Sequence, residues 1–319
     1  MLLERNYDVA IIAPGPTINE LNHCFGPKDI DGNVIHNVSL VYFGVSFGQT
    51  RINLMYEKHK YCLELIAARE PVSFEYAKQV LPKRSSDQFD LLLSGDMSFS
   101  YLDGPYVPPV DVPTLYPQIF SAISQFKETA ANDWVLIFSR ENNFGPGLGV
   151  NIIGKKVYVT TSSSEKQTYD LDKVIFGSSD ENQDSKHLRL LRRQYGIPPT
   201  QTVVVRSVEE MFCLISYSNV VVTDRYHPGV ASFMLGKKVI LTMYKQEGVK
   251  MAGLKSMMTY TQSKIRELNR KALKKLLKVI TDKKPKHHRR EGRMQVVTNN
   301  KAFSEDHRRN GHKKKTNSN

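Results

Sequence analysis

The chain has 319 residues, 40% of them hydrophobic and 24% charged, an ordinary globular composition long enough for two units of moderate size. No apolar run reaches the roughly 18–20 residues that a membrane-spanning helix needs, and the start MLLERNYDVAIIAPG carries Glu4, Arg5 and Asp8 where a secretory leader would be apolar. The net charge of +13 does not point the fold toward nucleic acid: residues 262–319 hold 19 Lys and Arg against 5 Asp and Glu, which leaves −1 for everything before them.

DVAIIAPG (8–15) reads as a short buried strand closed by Pro14, Gly15 and Pro16, and SLVYFGVSFGQ (39–49) repeats the pattern with Gly44 and Gly48 at its end. LELIAARE (63–70) fits strand or helix. PVSFEYAKQVL (71–81) is predicted as a helix with Pro71 at its first position, without a capping box. FDLLLSG (89–95) is a strand leading into Asp96. Five prolines follow in SYLDGPYVPPVDVPTLYPQ (100–118), a density expected to exclude helix and central strand. The stretch reads as a linker, or alternatively as a long surface loop of a single domain.

WVLIFSREN (134–142) restarts the pattern with a strand ending in Arg140, and the glycine-rich NNFGPGLGVNIIG reads as a loop. KVYVTT and KVIFGSS look like strands, and SKHLRLLRRQYG like a helix closed by Gly196. TVVVRSVEEMFCLISYSNVVVTDRYH gives a strand, a capping box of Ser207 with Glu210, an amphipathic helix and a second strand. PGVASFMLG and KKVILT then add a helix and a strand. Alternation at this spacing means parallel pairing with right-handed crossovers, and ligands of such sheets sit beyond the carboxyl ends of the strands. Residues 262–280 form a basic amphipathic helix, with Ile265, Leu268, Ala272, Leu276 and Val279 on its apolar face. From 282 onward few large apolar residues remain, and disorder is expected. Cys24, Cys62 and Cys213 are scattered without metal-ligand spacing and read as reduced residues of a cytoplasmic protein.

The passage VVVTDRYHPGVASF places Arg225 and His227 directly after an apolar strand and before a helix rich in small residues. A helix N-terminus presents orphan N–H groups and partial positive charge to an anion. Arginine adds a planar, permanently charged fork, and imidazole exchanges a proton near neutral pH. Together they suit a small, doubly anionic substrate that must be protonated; no His/Asp/Glu cluster of ligand spacing suggests a metal.

This passage resembles the C-terminal signature of the polysaccharide pyruvyl transferases, where a strand ends in Arg-Leu/Tyr-His before a small-residue helix. DVAIIAPG, LVYFGVSFG, AAREPVSFEYAKQVL, LLSGDMSFSYL and WVLIFSREN are similar to further family elements, in the family's order, over about residues 8–260. The resemblance implies an α/β fold of two Rossmann-like parallel-sheet domains arranged as in GT-B glycosyltransferases. The expected division is 1–118 with the linker at 100–118, then 119–281 carrying Arg-Tyr-His, then a disordered basic tail, 282–319. Family members begin with a further strand and an Asn-x-Gly-Asp loop ahead of the part matching DVAIIAPG, so either an abbreviated first domain or a fragment of a longer sequence is expected. Lys238 also stands where the family has proline.

What the family implies is transfer of the enolpyruvyl skeleton of phosphoenolpyruvate onto two hydroxyls of a sugar or glycan, giving a pyruvate ketal and phosphate. Phosphoenolpyruvate is then the donor substrate, and no cofactor is expected. Arg140 and Arg225 would clamp its anionic groups, the Tyr226 backbone would contribute a contact, and His227 would protonate the methylene carbon. Asp96, Arg69 and Lys250 are further cleft candidates. Each has a plainer reading: Arg140 pairing with Glu141 or an aspartate on the next strand, Asp96 capping the segment after it, Arg69 pairing with Glu70 or lying in a solvated turn, Lys250 a surface lysine. Gly145, Gly147 and Gly149 suggest either a phosphate loop or simple flexibility. Two other functions stay open: a nucleotide-sugar glycosyltransferase of the same fold, and a non-catalytic member binding polyanions weakly through its basic tail.

Overall fold

The computed structural model describes residues 9–12, 39–47, 52–53, 55–57, 63–81, 89–100, 105–125, 134–179, 184–242 and 249–282. The expected basic tail from 283 on, Cys24 and Cys62 lie outside the described residues. Two parallel sheets organise the rest. The first has four strands in the order β1 (Val9–Ile12), β2 (Ser39–Val45), β3 (Leu63–Ala68) and β4 (Asp90–Leu93). LELIAARE is thus a strand to Ala68. Pro71 opens helix α1 (Pro71–Val80), where its missing N–H costs no hydrogen bond.

The second sheet has the order β10 (Thr202–Val204), β9 (Val174–Ser178), β5 (Val135–Phe138), β11 (Val220–Thr223), β12 (Lys238–Leu241), and every pair in it is parallel. Its side chains alternate between faces, as pleating requires. Leu136, Phe138, Ile175 and Val221 face one core, while Val135, Ile137, Val174, Phe176 and Val222 face another. Helices α4 (Asp184–Tyr195), α5 (Val208–Ser216), α6 (Tyr226–Met234) and α7 (Val249–Met257) complete this unit. Ser207 caps α5 by accepting from Glu210 N at 3.1 Å. Glu210 closes back on Arg206 N instead of on Ser207 N, so the expected capping box is formed one residue out of register. The fold class is therefore α/β with two parallel sheets, as the resemblance implies.

Three details depart from the sequence reading. The glycine-rich loop ends in a strand, β6 (Val150–Ile153), which forms an antiparallel meander with β7 (Lys156–Thr160) and β8 (Lys166–Asp170). Val150, Ile152, Val157 and Val159 cover one face of the main sheet, whereas β8 is polar enough to escape notice. The Pro-rich segment is not free of helix: α2 (Val112–Leu115) and α3 (Pro117–Ser124) each carry proline in the first turn, where it is tolerated. Val112 and Ile119 are buried in the second unit's core, so this stretch is docked. Finally, the basic helix α8 (Gln262–Asp282) straddles the molecule. Its Ile265 joins the second unit's core, while Ala272 and Val279 pack on Val41, Phe43, Leu65 and Ala67 of the first sheet.

Candidate active site

The segments that follow β3 and β4 meet the one that follows β11, and polar residues gather there. On the first unit, Arg69 and Glu70 follow β3 and are buried, at 5% and 0% exposure. Glu70 accepts hydrogen bonds from Ser73 Oγ (2.6 Å), Ser46 Oγ (2.9 Å) and Arg69 Nε (3.3 Å). The Arg69 guanidinium also donates to Ser46 Oγ. Ser73 Oγ accepts from Phe47 N at 2.8 Å, which joins α1 to the end of β2. The local pairing of Arg69 with Glu70 is thus present, and it is part of a buried network, not a solvated turn. Burial pushes the Glu70 carboxyl above its ordinary range, against the pull of Arg69. Gly253 of α7 packs directly on Glu70: a β-carbon there would collide with Glu70 Cγ.

Beyond β4, Gly95 has φ +75°, and a β-carbon on it would stand 2.8 Å from Ile265 Cγ2 and 2.9 Å from Asn269 Oδ1. This close approach requires glycine and seats α8 against the strand exit. Asp96 Oδ1 accepts from Ser98 N at 2.8 Å, the expected cap of a short 3-10 turn, Met97–Ser100. Its Oδ2 accepts from Tyr226 Oη at 2.7 Å, across the cleft from the second unit. Asn269 Nδ2 donates to Asp96 O at 3.0 Å.

On the second unit, parallel pairing of β5 with β11 sets Phe138 beside Thr223, so Arg140 and Asp224–His227 emerge together. Asp224 is 1% exposed. It accepts from Arg140 N at 3.1 Å and lies 4.0 Å from Arg140 Nε, the pairing with an aspartate on the next strand. Burial raises the Asp224 carboxyl, and Arg140 opposes the rise. The Arg140 side chain remains 40% exposed. Arg225 is the N-cap residue of α6, yet Thr223 Oγ1 accepts its N–H at 2.8 Å and its own side chain caps nothing. Tyr226 and His227 form the first turn of α6; Tyr226 is buried and His227 exposed. The structure therefore sets Arg140 on Asp224, with Arg225 next in the chain after Asp224, and Arg69 and Asp96 about Tyr226. Lys250 belongs to α7, and its side chain lies outside the described residues.

Several residues of this region escaped the sequence reading. Asn143, 1% exposed, donates to Ser139 Oγ and Thr242 Oγ1 and accepts from Gly149 N. The amides of Gly145 and Leu148 are likewise bonded within the loop, to Val150 O and Gly145 O. These amides close the glycine-rich turn on itself and are not presented as a phosphate cradle. His187 of α4, 3% exposed, lies with its ring centroid 4.6 Å from that of Phe144, the two planes tilted by 54°. Burial, followed by the charge of Arg225, lowers its pKa to about 4. Its place beside Leu188 and Leu191 on an apolar helix face was the available signal, as was Asn269 between Ile265 and Ala272. Among the described residues no group of His, Cys, Asp and Glu could hold a metal ion, and no helix is long and apolar enough to cross a membrane.

No curated protein matches the chain in sequence. Among solved structures it is similar to Anabaena HepE in complex with UDP-glucose, with 14% identity and a TM-score of 0.40 over 76% of this chain and 72% of that one. It is also similar to a UDP-GlcNAc 2-epimerase from Neisseria meningitidis bound to UDP-GlcNAc, with 10% identity and a TM-score of 0.38 over 77% and 70% of the two chains. A family model described as polysaccharide pyruvyl transferase matches residues 4–246.

Proposed function

Because the chain belongs to the polysaccharide pyruvyl transferase family, we propose that it transfers the enolpyruvyl group of phosphoenolpyruvate to two hydroxyls of a sugar or glycan, forming a pyruvate ketal and releasing phosphate. The observation that supports this reading is that β5 and β11 end side by side, so that Arg140, paired with buried Asp224, leaves the same sheet edge as the Arg225–His227 turn, in which His227 is exposed. Phosphoenolpyruvate bears a phosphate and a carboxylate. Two guanidinium forks and the first turn of α6 meet that demand, each charged hydrogen bond contributing about 1.5–3 kcal/mol. Asp224 offsets one of the two positive charges and orients Arg140 through its main-chain N–H.

In the proposed sequence His227 gives its proton to the methylene carbon, and positive charge develops on the adjacent carbon. A sugar hydroxyl attacks there and returns its proton to His227. Loss of phosphate regenerates the cationic centre, the second hydroxyl closes the ketal, and its proton leaves with the phosphate. Fixed guanidinium charge favours the dianionic donor and its leaving group without reorganisation during the reaction. The donor is consumed as a substrate, and the scheme uses no further cofactor.

The test is phosphate release from phosphoenolpyruvate with a panel of galactosides and lipid-linked sugars. Arg225→Lys keeps the charge and loses the planar fork, so kcat/KM is expected to fall about 10²–10³-fold. Wild-type turnover in that variant would make Arg225 a bystander. Stabilisation by nucleotide-sugars and not by phosphoenolpyruvate in a thermal-shift titration would move the chain to glycosyl transfer.

A further inference from the structure

We propose that the Tyr226 side chain is a positioning residue: by bonding to Asp96 and stacking under Arg69 it ties the Arg225–His227 turn to the opposite unit, so that the reaction geometry is set by both units together. The proposal rests on the pyruvyl-transfer reading above and adds a role for the phenol, which turns to Asp96 and Arg69 of the first unit. Tyr226 is 7% exposed, whereas Arg225 is half-buried and His227 exposed. Its hydroxyl donates to Asp96 Oδ2 at 2.7 Å, a contact spanning 130 residues of sequence. The Arg69 guanidinium lies 4.2 Å from the centroid of its ring, and Arg69 Nε stands 3.8 Å from the same Asp96 oxygen. Phenol, guanidinium and carboxylate thus close a triangle whose members all lie within a tenth of full burial.

The first-unit side of this triangle is held independently. Asp96 is fixed by Ser98 N and Asn269 Nδ2, and Arg69 by Glu70 and Ser46. Burial and the Asp96 charge, in that order, keep the phenol protonated, so it remains a donor at any working pH. Arg225 and His227 are each one peptide bond from Tyr226. A turn anchored by the first unit does not drift with its own unit alone, and a displacement of about 1 Å at reacting groups can cost 10²-fold in rate. Simple packing would be served as well by leucine or phenylalanine; the charge-assisted hydrogen bond and the cation–π stack are what a packing role does not require.

The experiment compares full-length wild type with Tyr226→Phe, Asp96→Asn and the double variant. Tyr226→Phe keeps the ring and the Arg69 stack and removes the hydroxyl. The expected result is a fall of about 10-fold or more in kcat for phosphate release, with a weaker calorimetric dissociation constant for phosphoenolpyruvate as well, because Arg225 rides on the same turn as His227. The double variant should lose no more than the worse single variant, since both cut the same bond. Hydrogen exchange at the amides of residues 226–231 supplies a readout independent of turnover, and it should quicken in Tyr226→Phe. Wild-type kcat with unaltered exchange in Tyr226→Phe would overturn the proposal, as would additive losses in the double variant. Absence of any phosphate release by the wild type, with faster exchange in Tyr226→Phe, would reject the pyruvyl-transfer reading and leave the joint standing.

Discussion

Two clusters of charge occupy facing sheet edges and are built in opposite ways. Around Arg69 and Asp96 every charged group is buried and engaged: Glu70 alone accepts three hydrogen bonds, and Tyr226 and Asn269 close over Asp96 from other elements. Around Asp224 the carboxylate is buried, but Arg140 is 40% exposed and His227 faces solvent. A buried, fully bonded ion cluster rigidifies, because its geometry is over-determined and its charges are already spent on one another. The second edge instead leaves part of Arg140 and the His227 side chain open to solvent. Tyr226 belongs to the motif of the second cluster and to the network of the first, and so couples them.

The sharpest way to break this contrast is His227→Gln, which should lower phosphate release about 10²–10⁴-fold while leaving the urea-unfolding free energy unchanged. Retained turnover would place the acid elsewhere. Glu70→Ala probes the other cluster. It strips buried Arg69 of its nearest carboxylate, and the unfolding free energy should drop about 3–5 kcal/mol. A drop under one kcal/mol, by contrast, would mean that Asp96 suffices to balance Arg69. The smallest effect belongs to His187, which lies behind Arg225. Its folded pKa is depressed to about 4 by burial and then by Arg225, against an ordinary value of 6.5. The unfolded chain therefore takes up this proton first as pH falls, and stability is lost between pH 6.5 and 4 and intact above. His187→Leu should remove about 2 kcal/mol of the difference in unfolding free energy between pH 7 and pH 5. An unchanged difference would show that other groups govern the acid limb.

Most strands were legible, because buried parallel strands are short apolar runs closed by turn residues, and β2, β5 and β11 fit that pattern well. The meander was not. β8, KQTYD, has no apolar alternation of its own, and its place follows from pairing with β7. The proline-rich segment misled for a local reason: proline excludes helix interiors and favours helix starts, and α2 and α3 use the second property. The Arg-Tyr-His passage suggested an anion site from its residue types alone. That its tyrosine reaches Asp96 was invisible, since no spacing rule connects residues 130 positions apart.

The sequence by itself determined the α/β class, the amphipathic face of α8 and the chemical character of the Arg140, Arg225 and His227 positions. Side-chain periodicity and intrinsic acid–base chemistry are local properties, and they can be read along the chain. Tertiary structure alone decided that α8 bridges both units, that Glu70 is buried under Gly253, and that Tyr226 turns toward the first sheet. Such contacts form when distant segments close on one another, and their partners are chosen by shape and charge across the gap, which no local pattern encodes.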